Sequence, residues 1–219
     1  ATKMKKLLLV MLALALILAF AACGDKQPNN NEGPLVDSDL ASAEYAQMMQ
    51  NGTYYMESTT YVMGMAVNSV TAVDGANSDS RNDFMGANTW TLILDGTLYN
   101  IDEATQTYYI VPVGAGTEAA ATDYGDMSYV GKGNDIIPGF TDIDSGSYDY
   151  EEYLVTVASD GGKLEMQLRY YFKDGSLYVI YSNPLGIDSI MQITKISKDI
   201  PAGMLSLPEG YTEIAIPSF

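Results

Sequence analysis

The chain predicts a mainly β (α+β) fold: a single curved antiparallel sheet of about ten strands, with one N-terminal helix and a lid-like insertion. Three observations lead there. Between Tyr153 and Ile196, four apolar-alternating runs are separated by Asp160-Gly161-Gly162, Lys173-Asp174-Gly175 and Asn183-Pro184-Leu185-Gly186. In the run from Leu164 to Phe172, Leu164, Met166, Leu168, Tyr170 and Phe172 fall on one face and Glu165, Gln167 and Arg169 on the other, the period of a half-buried strand. Asp-Gly and Lys-Asp-Gly supply the positive φ of tight hairpins, so the runs pair in sequence order as a meander, and the natural twist of such a sheet curves it.

At the other end of the chain, Lys3, Lys5 and Lys6 precede an unbroken apolar run from Leu7 to Ala22, followed by Cys23, the single cysteine among 219 residues. A basic start, an apolar stretch short for a bilayer span and small residues before the cysteine read as a secretory signal over residues 1–22. Phe20-Ala21-Ala22-Cys23 resembles the lipobox of bacterial lipoproteins, with Phe20 where Leu is more usual. The resemblance implies a diacylglycerol on the Cys23 thiol, removal of the signal just before it, and an exported protein anchored by lipid to the extracytoplasmic face of the cell membrane. Loss of Lys3, Lys5 and Lys6 takes the net charge from −17 to −20. Such a surface repels nucleic acid and anionic headgroups, so no nucleic-acid partner is expected, although acidity also serves simply to keep an exported protein soluble. Without a disulfide the domain must be held by burial, for which its Tyr, Met, Leu, Ile and Val content suffices.

Residues 23–36 are expected to form the lipidated cysteine and a flexible tether. Gly24 to Pro34 is polar, Asn-rich and without hydrophobes, so it has nothing to bury. The domain proper is expected over residues 37–219. Asp37, Ser38 or Asp39 is placed to cap a helix beginning near Leu40, and Asn51-Gly52 to stop it. Ala41, Tyr45, Met48 and Met49 share one side of that helix, which must lie against the sheet.

Six short β runs follow: Thr53 to Met63, Met65 to Val73, Ser78 to Met85, Thr89 to Leu94, Thr97 to Ile101 and Thr107 to Val111. Gly64, Asp74-Gly75, Gly86-Ala87-Asn88, Asp95-Gly96 and Asp102 to Gln106 punctuate them. Residues 114–141, rich in small residues, glycine and acids, are expected as a lid-like insertion with short helical turns across one mouth of the sheet. After the four-run meander, Asp199 to Pro208 reads as a turn and Tyr211 to Ile216 as a short closing strand.

The absence of histidine, and of any cysteine beyond the lipidated one, excludes most catalytic triads, thiol nucleophiles and the common zinc ligand sets. Only Asp149, Glu151 and Glu152 offer an acid-only arrangement of the glycosidase kind, and a solvated strand start explains them as well. No enzyme activity, cofactor or metal is expected. Asp142, Asp144, Tyr148 and Asp149 alternate as in calcium loops, but Gly146 stands where a ligand is needed and Tyr153 where the EF-hand has glutamate, so an acidic turn accounts for them.

The aromatic and methionine content points to a hydrophobic ligand. Trp90, Leu92 and Leu94 on one run, and Leu164, Met166, Leu168, Tyr170 and Phe172 on another, are the candidate lining, with Met56 and Met191 as adaptable neighbours. The alternative is a filled core. One helix over some ten strands favours the cavity, since it leaves much of the greasy face uncovered.

Leu94 to Pro112 (LDGTLYNIDEATQTYYIVP) resembles the segment of the LolA/LolB/LppX-like bacterial lipoprotein superfamily in which a DG-x-x-x-Y hairpin leads to a strand ending near proline. Arg169 to Ser197 and Asp199 to Tyr211 resemble that group's closing strands and its P-x-x-x-F-x-x-P-x-G ending, with Leu205 in place of Phe. The resemblance implies an open β half-barrel whose concave side is plugged by helices, with residues 114–141 where the lid helices lie, and a lipid or acyl chain as ligand. Of the two arginines available, Arg81 and Arg169, neither matches the lid-bonding arginine of the carriers. The function expected is thus a membrane-anchored, non-enzymatic lipoprotein that binds a lipid or other hydrophobic molecule. The alternative is a cell-envelope structural or interaction protein with a filled core and an acidic surface for an envelope protein partner.

Overall fold

The computed structural model describes residues 39–111, 127–159 and 162–215. The expected signal, Cys23, most of the tether and residues 112–126 lie outside the described residues. One open, curved sheet holds the described strands: β1 (Thr53–Val62), β2 (Met65–Asp74), β3 (Asn77–Phe84), β4 (Ala87–Leu94), β5 (Thr97–Asp102), β6 (Thr107–Val111), β7 (Met127–Ile136), β8 (Ser147–Ser159), β9 (Gly162–Lys173), β10 (Ser176–Ser182), β11 (Ser189–Ser197) and β12 (Thr212–Glu213). Their order is β12-β6-β5-β4-β3-β2-β1-β11-β10-β9-β8-β7. It consists of two meanders, β1 to β6 and β7 to β11, sewn together where β1 pairs antiparallel with β11, Thr60 opposite Met191. Only β12 runs parallel to its neighbour, β6. The sheet does not close into a barrel, and the architecture is that of a half-barrel.

The hairpins form because their turns allow the backbone to reverse. Met63-Gly64, Met85-Gly86, Asp95-Gly96 and Asp174-Gly175 each place two successive residues at positive φ, the type I′ geometry that matches strand twist. Aspartate tolerates the first of these positions, whereas methionine pays a steric penalty there.

Two features depart from the sequence reading. Residues 127–136, placed above in the insertion, form the outer strand β7. Gly131 and Gly133 break its alternation, and an outer strand is solvated on both faces, so no period-2 burial marks it. The neighbouring strand β8 starts at Ser147, six residues before Tyr153, which puts Asp149, Glu151 and Glu152 inside the sheet and not at a strand start. The remaining described part of the expected insertion, residues 137–141, begins a loop over residues 137–146 that folds back onto the sheet through Ile137 and Phe140, both fully buried.

The helix α1 (Ser42–Gln50) is shorter at its start than expected. Ala41 stands at the cap position with no side-chain cap. Gly52, at φ 62°, ends the helix and turns the chain into β1. Following register from strand to strand, Tyr54, Met56 and Thr60 of β1 share a face with Met191 and Ile193 of β11, Ile180 of β10, Leu168 and Tyr170 of β9, and Tyr153 and Val155 of β8. This face receives α1 through Ala43 and Met48 and forms the largest core cluster. The opposite face carries two smaller cores. Tyr171, Val179, Tyr181 and Ile190 pack under the 137–146 loop, and Trp90, Leu92 and Ile101 pack with Leu207 and Tyr211 of the C-terminal segment.

Candidate functional site

The eight apolar residues expected to line one cavity divide between the two faces. Met166, Leu168, Tyr170 and Phe172 stand on the face covered by α1. Leu164 belongs to β9 and pairs with Val157, but its side chain is outside the described set. Trp90 and Leu92 lie opposite Arg81 and Asp79, and Leu94 opposite Thr97; register carries all three to the other face, with the C-terminal segment. A two-residue period specifies which residues of one strand share a face, but the faces of strands in different meanders are related only through the β1–β11 pairing.

Under α1 the apolar face is filled. The void bounded by Met49, Tyr54, Met56, Ile180 and Met191 is about 20 Å³, room for about one water and no more. Leu168 is fully buried, Met166 and Tyr170 are 3% exposed, and the Tyr170 ring meets Tyr153 edge to face at 5.7 Å. Phe172 also borders a cleft of about 700 Å³ at the helix start, with Lys132, Tyr150, Glu151 and Asp174.

The other half of the sheet is open. A groove of about 870 Å³ crosses β1 to β6, within the range of small-ligand sites. Register places Ser58, Ser69, Asn82, Thr89, Asn100 and Tyr109 of its lining on the α1 face, where they form a polar row across the strands. Ser69 Oγ donates to Asn82 Oδ1 at 2.8 Å, and Asn82 Nδ2 donates to Ser80 Oγ at 3.3 Å. Residues that register assigns to the opposite face also border the groove, among them Glu57, Val70, Asp83, Trp90 and Ile101, while Asp102 shares the face of Asn100 and Glu103 follows it in the turn.

Each of three carboxylates is held in place by a local hydrogen bond. Glu57 accepts from the Tyr55 hydroxyl at 2.7 Å; burial first, and this bond second, push the Tyr55 hydroxyl up to about 12. Asp83 Oδ1 accepts from Gly86 N–H at 2.9 Å. Asp102 Oδ1 accepts from the N–H groups of Ala104 and Thr105, and hydrogen bonding to the Thr105 side chain and backbone holds its carboxyl below the ordinary range. Beneath the groove, Arg81 forks onto Asp79 at 3.2 and 3.0 Å and stacks 4.0 Å above the Trp90 ring. Asp79 is fully buried. The Trp90 indole N–H is the one buried side-chain polar atom without a hydrogen-bond partner among the described residues.

The acid candidates on β8 have structural partners. Glu151 caps α1, Glu152 pairs with Arg169 at 2.6 Å, and Asp149 accepts from Asn134 at 2.8 Å. In the calcium-like loop, Asp144 accepts from the hydroxyls of Tyr148 (2.6 Å) and Tyr178 (2.8 Å) and from Gly146 N–H (2.9 Å), with Lys173 at 3.5 Å. These donors, Tyr148 first, hold its carboxyl far below the usual range. Donors, not an open ligand set, surround it, and no metal-ligating cluster occurs among the described residues. Sequence reasoning missed the polar row, because Ser, Asn and Thr on both faces of β2 and β3 carry no period-2 signal.

No protein-family model matches the chain, and no curated protein matches it. Among solved structures, LprF from Mycobacterium bovis is similar at 12% identity and a TM-score of 0.42, covering 74% of this chain and 91% of that one. An uncharacterized conserved protein from Thermus thermophilus is similar at 11% identity and a TM-score of 0.41, covering 75% and 90%.

Proposed function

We propose that the chain is a membrane-tethered, non-enzymatic binding protein of the cell envelope, lipidated at Cys23, which holds a lipid or other amphipathic molecule in the groove over β1 to β6. The groove itself carries this reading: at about 870 Å³ it is of small-ligand size, over the half of the sheet that α1 does not cover. The half-barrel architecture and the resemblance of the Leu94 to Pro112 and Arg169 to Tyr211 stretches to envelope lipoproteins support it. In this reading the binding residues differ from the set expected from the sequence. Met166, Leu168 and Tyr170 act as core, and the polar row with Trp90 and Ile101 borders the site. The engagement of Glu151, Glu152 and Asp149 in structural contacts speaks against acid-only catalysis.

Native mass spectrometry of the protein isolated from its membrane tests this reading. A co-purified amphipathic adduct, lost when Asn82 and Asn100 are both changed to leucine, is the expected result; an adduct-free mass and no uptake of added lipid would sink it. The packed void under α1 favours a second reading, an envelope interaction protein with a filled core. Capture of an envelope protein partner with no bound small molecule is its signature.

A further inference from the structure

The two ends of the sheet differ in turn chemistry. Alternate connections of a meander fall at the same end, so the β1–β2 and β3–β4 hairpins reverse at one end and the β2–β3 and β4–β5 hairpins at the other. The second end reverses through Asp74-Gly75 and Asp95-Gly96, and the β1–β11 pairing brings Asp174-Gly175 there as well. The first end reverses through VMGMA (residues 62–66) and FMGA (residues 84–87), with no charged, hydroxyl or amide side chain in either turn. Met63 and Met85 each occupy the first turn position, at φ 51° and 53°, the left-handed region that is strained for methionine. They are 47% and 85% exposed, with Met65 and Phe84 half-buried beside them. Asp95 fills the same position at the other end, so the turn itself does not call for methionine. The two tips stand about 10 Å apart, two strand spacings. Two neighbouring hairpins thus hold a strained apolar residue out in solvent with little packing in return, the pattern of a surface kept for contact.

We infer that this end is a membrane contact, at which Met63 and Met85 insert into the outer part of a bilayer with zwitterionic or uncharged head groups; the inference rests on the membrane-tethered reading above. Two convex hairpin tips bury far less than the roughly 800 Å² per partner of a stable protein interface, and they carry no charge or hydrogen bond to fix a register. A fluid lipid surface needs neither, and the unbranched thioether adapts to it. The chain enters the domain at the polar end, where Ala41 shares a cleft with Asp174 and Gly175. The stretch from Cys23 to Asp39 nevertheless reaches about 55 Å when extended. That exceeds the length of about 33 Å of the ten-residue strand β1, so the tips can meet the leaflet that holds the anchor. Tethering also raises the effective concentration of the tips at that surface, so a shallow apolar contact is enough. The acids nearby set the head group. Asp83 accepts from Gly86 N–H at 2.9 Å, and Asp102 and Glu103 follow in the next connection of the same end, so anionic lipids are disfavoured.

The test uses the lipidated protein reconstituted through its own anchor into phosphatidylcholine vesicles, with the Cys23 thiol acylated and so inert to thiol reagents. Ala87→Cys, beside the Met85 turn, and Ala76→Cys, in the β2–β3 turn of the polar end, each take one polarity-sensitive fluorophore; both alanines are exposed. The expected result is a blue-shifted Ala87→Cys probe, quenched by lipids spin-labelled high on the acyl chain, and an Ala76→Cys probe that reads water. Changing Met63 and Met85 together to asparagine suits both turns, and is expected to lower the quenching at position 87 about fivefold or more by removing the inserted apolar surface. Replacing half of the lipid by phosphatidylglycerol weakens it as well. Equal quenching of the two probes, none at position 87, or quenching unchanged by the double asparagine variant overturns the inference. So does a blue shift at position 87 that appears only when envelope proteins are added, which assigns the tips to a protein partner. Failure of the parent to float with the vesicles, or thiol labelling of its Cys23, overturns the tethered reading and this inference with it.

Discussion

Glu151 on β8 closes the amino end of the helix at Ser42: one carboxylate oxygen accepts from Ser42 N–H at 2.8 Å, and the other from Ala41 N–H at 2.9 Å. The contact spans 109 residues of sequence. Beside it the hydroxyls of Ser42 and Tyr153 lie 2.6 Å apart. The carboxylate thus does the work of the missing local cap and also locks α1 over the apolar face, where the helix dipole favours negative charge.

Glu151→Ala leaves the buried N–H of Ser42 and the part-buried N–H of Ala41 without this partner, so it is expected to destabilise the domain by about 2 kcal/mol. Glu151→Gln, which keeps an acceptor but not the charge, is expected to cost less. Urea unfolding of both variants checks the order; a reversed order would refute the capping role.

Leu168 is fully buried beneath α1, and the nearby void of about 20 Å³ has no room for an indole. Leu168→Trp is expected to cost roughly 1–3 kcal/mol by overpacking. Thermal unfolding is the measurement. A variant as stable as the parent would show that the face is hollower than its packing indicates, and would return Met166, Leu168 and Tyr170 to the list of ligand contacts.

Arg81 compensates the charge of Asp79, which is fully buried, while its own side chain is 36% exposed. Removing one partner of such a pair leaves a buried charge unmatched. Arg81→Met is expected to cost about 3 kcal/mol, the low end for buried pairs because of that exposure, and Asp79→Asn in the same chain is expected to restore part of it. The guanidinium stacks 4.0 Å over Trp90, so the single variant is also expected to shift the tryptophan emission.

Asp144 gives the 137–146 loop a pH dependence. Hydrogen bonds from Tyr148, Gly146 and Tyr178 depress its folded pKa below the ordinary value of about 3.9. Its stabilising contribution is therefore complete above the unfolded value and lost as pH falls toward the folded one. The stability difference between the parent and Asp144→Asn is expected to be constant from neutral pH to about pH 5, and to shrink below about pH 4. Urea midpoints across that range decide; a gap that widens on acidification would contradict the assignment. In the parent, burial and the bond to Asp144 push the Tyr178 hydroxyl up to about 12.

Met85 occupies a left-handed position at φ 53° with its side chain 85% exposed. Asp95 and Asp174 fill the same turn position in other hairpins, and the exposure of Met85 leaves little packing to offset its strain. Met85→Asn is expected to stabilise the domain by about 0.5–1 kcal/mol. A loss of stability would show that the methionine packs in solution.

Much of the fold was legible from local chemistry. Alternation in Leu164 to Phe172 and in Trp90 to Leu94, with Gly after Asp or Met at most reversals, was enough to read β1 to β6, the Tyr153 part of β8, and β9 to β11 as strands, because side-chain period and turn conformation are set by neighbours in the chain. The edge strand β7 was not legible. A solvated edge carries no burial pattern, and its glycines read as loop.

By itself, then, the sequence determined most of the elements and their hairpin order, the exclusion of histidine and thiol chemistry, and the acidic charge. Only the tertiary structure decided how the meanders face each other. The β1–β11 seam puts Trp90 and Leu168 on opposite sides of one sheet and brings Glu151 to Ser42, so that α1 packs over one half of the sheet and a groove lies over the other, β1 to β6. Those outcomes depend on register between strands far apart in the chain. Register is a collective property: shifting one pairing by a single residue would exchange every face beyond it.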